Sequence, residues 1–263
     1  MAGLRAGWGL QIWALARHVW IEALRDRFTQ ALCLIGVILL ASSMVLSRMA
    51  IGNHERVIQN MGFWVIWVSG FFGVLCLGSN LVRHEIQQRT IFLILSRPLG
   101  RNSFLLGKYC GMILVLATIF LILSTSFGSV MLLSGIRVNA QHAVAGLFIF
   151  SEWIILAAFS VLFAGFTSPP LHNFFLAGVA FLGHWCNDLL LFAQNTESHM
   201  IEIALRVLFL ILPNLECINF RGAALYEDPI PGAMIAGGLF FTVAWIGALI
   251  CASAAIFSSR KIF

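Results

Sequence analysis

Residues 83–108 read RHEIQQRTIFLILSRPLGRNSFLLGK and separate two long apolar segments of the chain. This stretch carries five basic residues and one acid, Glu85. Its polar beginning and the apolar block at 91–95 predict an amphipathic helix that lies on a membrane surface. Pro98 disfavours helix at the residue before it and predicts a turn, after which Lys108 leads into the next apolar segment. The sequence therefore predicts a basic surface helix between two membrane spans.

The composition of the whole chain is typical of a protein that crosses a membrane several times. Hydrophobic residues make up 60% of its 263 residues, charged residues make up 10%, and the mean hydropathy is +0.94. A soluble domain has about 25% charged residues, and a membrane-spanning helix needs about 20 mostly apolar ones. Six segments reach that length: 29–51, 60–82, 104–133, 142–166, 172–194 and 232–257. We expect an all-α polytopic membrane protein in which residues 1–263 form one transmembrane domain with six spans.

The N-terminal segment, 1–28, is predicted to form a cytoplasmic helix in the membrane interface. Residues 10–28 have helical periodicity, with Trp13 and Trp20 on an apolar side. The charged residues that we assign to this interfacial helix are Arg17, Glu22, Arg25 and Arg27. A passive anchor and a docking surface for a partner both fit this pattern. Ala14-Leu15-Ala16 resembles a signal-peptide cleavage site, but the apolar run before it is short, so we expect no cleavage.

The distribution of Lys and Arg predicts the orientation of the chain in the membrane. When the N-terminus is placed inside, the inner segments carry eleven basic residues and three acids, a net charge of +8. The outer segments carry five basic residues and six acids, a net charge of −1. Both termini are therefore expected in the cytoplasm. The overall charge of +5 records this bias and does not indicate a nucleic-acid partner. The six cysteines are scattered, without a CxxC pair, and suggest no disulfide framework.

The segment 195–231 is the one long connection that is predicted on the outer side. Its first half, 200–212, is apolar, but it is too short and too charged for a full span, and it ends at Pro213. A re-entrant or interfacial helix fits these properties.

Two acids, Glu152 and Asp188, fall inside predicted spans, and together with His184 they are candidates for a translocation path. Glu152 lies near the middle of the fourth span, where an ionisable group costs free energy and indicates function by default. A neutral, hydrogen-bonded Glu152 that ties helices together is the alternative. His184 and Asp188 are four residues apart in the fifth span, which predicts that they share one helix face. They could pair, relay protons or bind a metal there, but two ligands are too few to predict a metal site.

Several motifs together carry a resemblance to a known family. They are Glu85, Arg89-Thr90, Leu95-Ser96-Arg97-Pro98-Leu99 with Arg101, Leu106-Gly107-Lys108-Tyr109 with Gly111, Leu212-Pro213-Asn214-Leu215-Glu216 and Ala255-Ile256-Phe257-Ser258-Ser259-Arg260-Lys261. This pattern resembles ABC-2 type transporter permeases, especially the NosY-like group, and covers essentially the whole chain. The chain departs from the family at Arg89, where glycine is usual.

The resemblance implies a membrane permease, expected to be an exporter, that dimerises with a second copy or a homologous permease and docks a separate ABC ATPase. The segment 83–103 would be the coupling element, and the residues matched to that role are Arg83, Glu85, Arg89, Thr90, Arg97 and Pro98. We expect a bacterial inner-membrane protein, with an accessory periplasmic protein as a further candidate partner. ATP and Mg²⁺ would be bound by the ATPase, so no cofactor and no enzymatic activity are expected in this chain. Gly100 and Gly107-Lys108 superficially resemble a phosphate-binding loop, but the spacing is wrong and Tyr109 replaces Ser or Thr.

Two other function classes remain open on the sequence. A proton-coupled secondary transporter would use Glu152 and Asp188, but it would give the segment 83–108 no purpose. An intramembrane enzyme or metal-handling protein around His184, Asp188 and Glu152 would need further converging ligands. A path lined by Phe, Leu and Gly suits lipids, peptides, drugs and glycoconjugates alike.

Overall fold

A computed structural model describes residues 8–49, 52–87 and 101–259, and these residues form helices without a single strand. The helices are α1 (Trp8–Arg25), α2 (Arg27–Ser47), α3 (His54–Gln87), α4 (Arg101–Leu133), α5 (Ala140–Ala164), α6 (Pro169–His184), α7 (Cys186–Asn195), α8 (His199–Ile211), a 3-10 helix (Leu215–Ile218), α9 (Arg221–Tyr226) and α10 (Gly232–Ser259). The predicted all-α polytopic membrane fold is confirmed.

Within the described ranges, five helices are long and apolar enough to cross a membrane: α2, α3, α4, α5 and α10. The pair α6 and α7 makes a sixth span if it is counted as one bent unit. The predicted fifth span, 172–194, is therefore not a continuous helix, because α6 ends at His184 and α7 turns away by 70°.

The bend is tolerated because the backbone of Trp185 forms hydrogen bonds with both helices. Its φ of −97° and ψ of 11° leave the helical region. Its N–H still donates to the carbonyls of Phe181 and Leu182, and its own carbonyl accepts from the N–H of Leu189. The backbone polar groups at the bend are thus paired, as a low-dielectric environment requires.

The helix α5 forms the centre of the bundle and contacts α3, α4, α6 and α10. Its side chains Phe148, Trp153, Ile155 and Leu156 have no exposed area. The capping box at Asn139, in which His142 takes part, fixes where this helix begins. Because α5 is buried on most sides, a polar residue in its middle must find its partners within the protein.

The N-terminal helix α1 packs along α4, where two glycines provide the space. A Cβ at Gly107 would lie 2.8 Å from Leu15 Cδ2, and one at Gly111 would lie 2.7 Å from Val19 Cβ. The indole N–H of Trp20 donates to Thr118 Oγ1 at 2.9 Å. The predicted interfacial residues Arg17, Glu22 and Arg25 are exposed on α1, whereas Arg27, also exposed, is the first residue of α2, because the helix ends at Arg25.

The segment 195–231 folds as two short helices and a 3-10 helix. The helix α8 contacts α7 after a short turn, and its side chains Met200, Ile203, Val207 and Leu210 are exposed. The 3-10 helix contacts α5 and α6, and α9 contacts α3 and α5. This last contact brings the beginning of α9 to the centre of the bundle.

Candidate functional site

Among the residues that the structure describes, Glu152 is a completely buried acid, with an exposed fraction of 0% in the middle of α5. A carboxylate that is removed from water is strongly destabilising unless a cation and hydrogen-bond donors surround it. The helices α3, α6 and α9 supply these groups. We call Trp67, Glu152, His184 and Arg221 the Glu152 cluster.

Two donors hold the carboxylate of Glu152 directly. The indole Nε1–H of Trp67, on α3, donates to Glu152 Oε2 at 2.6 Å. Arg221 begins α9, and its Nη2 lies 3.1 Å from Oε1 and 3.0 Å from Oε2. The guanidinium also makes a cation–π contact with the Trp67 ring, with its Cζ 5.4 Å from the ring centroid. The carboxylate of Glu152 thus faces a guanidinium and an indole N–H, which tie α5 to α9 and α3.

His184 completes the cluster at the end of α6. Its Nδ1 lies 2.9 Å from the Ala180 carbonyl, which can only accept, so Nδ1 carries a proton. Its Nε2 lies 3.2 Å from Arg221 Nη2 and 3.3 Å from Glu152 Oε2. A neutral imidazole accepts from Arg221 at this nitrogen, whereas an imidazolium donates to Glu152. The Trp67 ring packs edge-on against the imidazole, with centroids 5.2 Å apart.

The cluster joins four helices that are distant in sequence. Arg221 is 69 residues from Glu152, and Trp67 is 85 residues from it. The ion pair therefore ties the segment 195–231 to the centre of the α3–α5–α6 unit. Breaking one partner of such a pair would leave a buried charge uncompensated, which makes the pair a strong positional constraint.

Asp188 does not join this cluster. It lies in the first turn of α7, beyond the bend at Trp185, and its side chain is exposed. The predicted shared face of His184 and Asp188 is wrong, because four-residue spacing aligns side chains only along one continuous helix. Among the described residues, no three His, Cys, Asp or Glu side chains come together as metal ligands would.

Arg221 and Trp67 are the members of the Glu152 cluster that the sequence did not single out. A lone acid in a span indicates that a cation must approach it, but the outer segments contain five arginines: Arg48, Arg56, Arg137, Arg206 and Arg221. Nothing in the local sequence around Arg221 distinguishes it from the others. Only the packing of α9 against α3 and α5 brings Arg221, and not another of these arginines, to Glu152.

The predicted coupling residues are placed only in part. The backbone of Arg83 and Glu85 belongs to the last turns of α3, which ends at Gln87. The helix of the second span thus continues beyond residue 82, where the sequence predicted that it would end. Arg89, Thr90, Arg97 and Pro98 lie outside the described residues.

Two known proteins are similar to this chain along nearly their whole length. No protein-family profile matches the chain. It is 26% identical over 277 residues to the probable ABC transporter permease protein NosY of Stutzerimonas stutzeri, which covers 95% of this chain and 99% of that protein. It is 25% identical over 274 residues to the protein of the same name from Pseudomonas aeruginosa, with the same coverage of both chains. The chain is thus similar to two ABC transporter permeases along nearly its whole length, and its five or six apolar helices fit a membrane permease.

Proposed function

We propose that the chain is the membrane-spanning subunit of an ATP-driven exporter, in which two permease copies form the translocation path and a separate ABC ATPase supplies the energy. The observation that carries this proposal is the similarity to two permeases over 99% of their length. ATP and Mg²⁺ belong to the ATPase in this proposal, and the chain itself is not an enzyme. The alternatives for the second permease are an identical copy and a homologue.

The lengths of α3 and α4 support a cytoplasmic docking site for the ATPase. These helices contain 34 and 33 residues and flank the segment 88–100. At 1.5 Å per residue each is about 50 Å long, whereas a hydrocarbon core is about 30 Å thick. Helices of this length can project beyond the bilayer and hold the connecting segment within reach of a soluble partner. The coupling role of Arg83, Glu85, Arg89, Thr90, Arg97 and Pro98 belongs to this proposal.

The charge distribution supports the orientation of the subunit. We place both termini in the cytoplasm and the segment 195–231 on the outer side, because the inner segments then carry +8 and the outer segments −1. Both relatives come from bacteria, which supports a location in the bacterial inner membrane. An accessory periplasmic protein would meet the segment 195–231.

The geometry does not favour the proton-coupled alternative. Both oxygens of Glu152 are engaged by Arg221 and Trp67, and Asp188 is exposed on another helix. The seven α5 residues that follow Glu152 toward Ser160 read WIILAAF and offer no side chain that relays protons, since an indole N–H only donates. Glu152 is better suited to hold helices together than to carry a proton across the membrane.

Co-purification with the partner ATPase tests the proposal. The chain is extracted in mild detergent with a co-expressed ABC ATPase, and complex yield and ATP hydrolysis are measured for the wild type, Glu85→Arg and Glu197→Arg. The wild type is expected to bind the ATPase, and Glu85→Arg is expected to weaken binding or uncouple hydrolysis. Glu197→Arg is the matched control, since it makes the same charge reversal in the exposed part of 195–231. A wild-type chain that binds no ATPase would overturn the proposed function.

A further inference from the structure

A second buried polar cluster joins α3, α5 and α6, three of the four helices of the Glu152 cluster, and on α6 it lies at the opposite end of the helix. His172 lies in the first turn of α6 and has an exposed fraction of 0%. Its Nε2 lies 3.2 Å from Ser160 Oγ on α5. On α3, the Ser79 hydroxyl lies 2.6 Å from Asn173 Oδ1, the residue after His172. We call these residues, with Gly78, the His172 cluster.

Gly78 lets α3 approach this cluster closely. A Cβ at that position would overlap Ser160 Oγ and His172 Nε2. The absence of a side chain at Gly78 is therefore a condition for the contact between α3, α5 and α6. Gly73, five residues earlier on α3, is different, because a Cβ there would lie 3.4 Å from its nearest neighbour, Leu116 Cδ2, at ordinary contact distance.

The two clusters connect the three helices at two levels. His172 and His184 are twelve residues apart on α6, which corresponds to about 18 Å along the helix. Between them α5 presents Ile155, Leu156 and Ala157, all without exposed area. Helices that are joined at both ends and densely packed between move as one body, because close-packed interiors transmit displacement rather than absorb it.

The His172 cluster also lies close to the proposed ATPase-docking end of α3. From Gly78, α3 continues for nine residues to Gln87, or about 14 Å, before the coupling segment. Along α3, the His172 cluster lies nearer to the coupling segment than the Glu152 cluster, which contains Arg221. A displacement of the end of α3 would therefore reach the His172 cluster before the Glu152 cluster.

One atom of the His172 cluster is left unpaired in this conformation. His172 Nδ1 is buried and has no hydrogen-bond partner among the described residues. A buried polar atom without a partner raises the free energy of the conformation that contains it. Within the described part of the chain, the His172 ring is thus hydrogen-bonded through Nε2, to Ser160 on α5.

We propose that the His172 cluster is the joint through which movement of the ATPase-docking end of α3 passes to α5 and α6, with His172 as a positioning residue. The Glu152–Arg221 ion pair then passes the movement to the segment 195–231. This inference rests on the proposed function, since it requires an ATPase that moves α3. It adds the residues within the bundle that connect the two faces of the membrane.

The experiment follows Cys217, an exposed thiol in the 3-10 helix four residues before Arg221. The complex with the ABC ATPase is reconstituted in lipid nanodiscs, and the rate of Cys217 modification by a maleimide is measured without nucleotide and after trapping with ATP and vanadate. A Cys217→Ser protein gives the background from the other thiols. The variants are His172→Gln and Gly78→Ala, and Gly73→Ala is the matched control on the same helix.

The wild type and Gly73→Ala are expected to show the same ATP-dependent change in the Cys217 rate. In His172→Gln and Gly78→Ala, this change is expected to shrink about fivefold or more while the ATPase stays bound and hydrolyses ATP. A purely structural role would instead reduce complex yield and leave the ATP-dependent change in the surviving complex intact. Where either variant fails to fold, Ser160→Ala removes the hydroxyl that faces His172 and carries the same expectation.

Two results would overturn the inference while leaving the proposed function in place. One is a bound, active ATPase with a wild-type ATP-dependent change in both variants. The other is a wild-type complex in which ATP and vanadate leave the Cys217 rate unchanged. Failure of the wild-type chain to bind the ATPase at all is a different outcome, and it refutes the proposed function.

Discussion

Replacement of Arg221 by methionine removes the cation that faces Glu152 and keeps a side chain of similar length. The side chain of Glu152 is 0% exposed and that of Arg221 is 18% exposed, so water cannot replace the lost guanidinium freely. Removal of one partner of a buried ion pair costs about 3–5 kcal/mol. We therefore expect Arg221→Met to lower the free energy of unfolding by about 3 kcal/mol or more.

A double-mutant cycle separates the ion pair from the loss of packing. Glu152→Gln retains an oxygen for the Trp67 indole but removes the charge that faces Arg221. In the double variant neither buried charge is left alone, so the two single losses should not add. The expected interaction energy is about 2–3 kcal/mol, the upper part of the range for residues in direct contact.

Equilibrium unfolding in mixed micelles with increasing SDS measures these differences. Arg206→Met is the matched control, because Arg206 pairs with Glu202 at 2.8 Å on the surface of α8, with side chains 57% and 30% exposed. An exposed pair four residues apart contributes about 0.3–0.5 kcal/mol. If Arg221→Met cost no more than Arg206→Met, or if the two changes in the cycle were additive, the ion pair would not be the constraint that we infer.

Two further predictions concern the packing of α1 against α4 and the thiol of Cys217. Gly111→Ala should destabilise the protein by about 1–3 kcal/mol through overpacking, since the new Cβ would lie 2.7 Å from Val19 Cβ and 3.1 Å from the Ala16 carbonyl. Gly128→Ala, on the same helix with nothing within 4 Å, should be neutral or stabilising in the same unfolding assay, and equal losses at both sites would refute the close packing. Burial first, and the Glu216 carboxylate second, raise the pKa of the Cys217 thiol. Glu216→Gln should therefore lower this pKa and speed maleimide modification at neutral pH, because only the thiolate reacts; an unchanged pH profile of the rate would contradict it.

The spans could be predicted from the sequence because their signal is one of length and composition. Five of the six apolar segments are long enough to cross a membrane as one helix, and the amphipathic pattern that begins near residue 10 is equally direct. The bend at Trp185 could not be predicted, because His184-Trp185-Cys186 contains neither proline nor glycine. The backbone hydrogen bonds of Trp185 are shared between two helices, and Pro213 and Leu215, distant in sequence, lie against Gly183 just before the bend.

The sequence identified two of the four members of the Glu152 cluster. Glu152 and His184 attracted attention because ionisable residues are rare in spans, but spacing along the chain paired His184 with Asp188 instead of Glu152. Arg221 and Trp67 come from distant parts of the chain, and only tertiary packing brings them to Glu152. Gly107 and Gly111 belong to a motif that carried the family resemblance. The structure gives a physical reason for these glycines, since they make room for α1 against α4.

The composition of the native complex tests the central claim most directly. Native mass spectrometry of the chain, extracted in mild detergent after co-expression with its ABC ATPase, gives that composition without any assumption about substrate. The account predicts a complex with two copies of this 29.0 kDa chain, or one copy with a homologous permease, and two copies of the ATPase. A chain that appears only alone or with itself, with no ATPase in any species, would contradict the account.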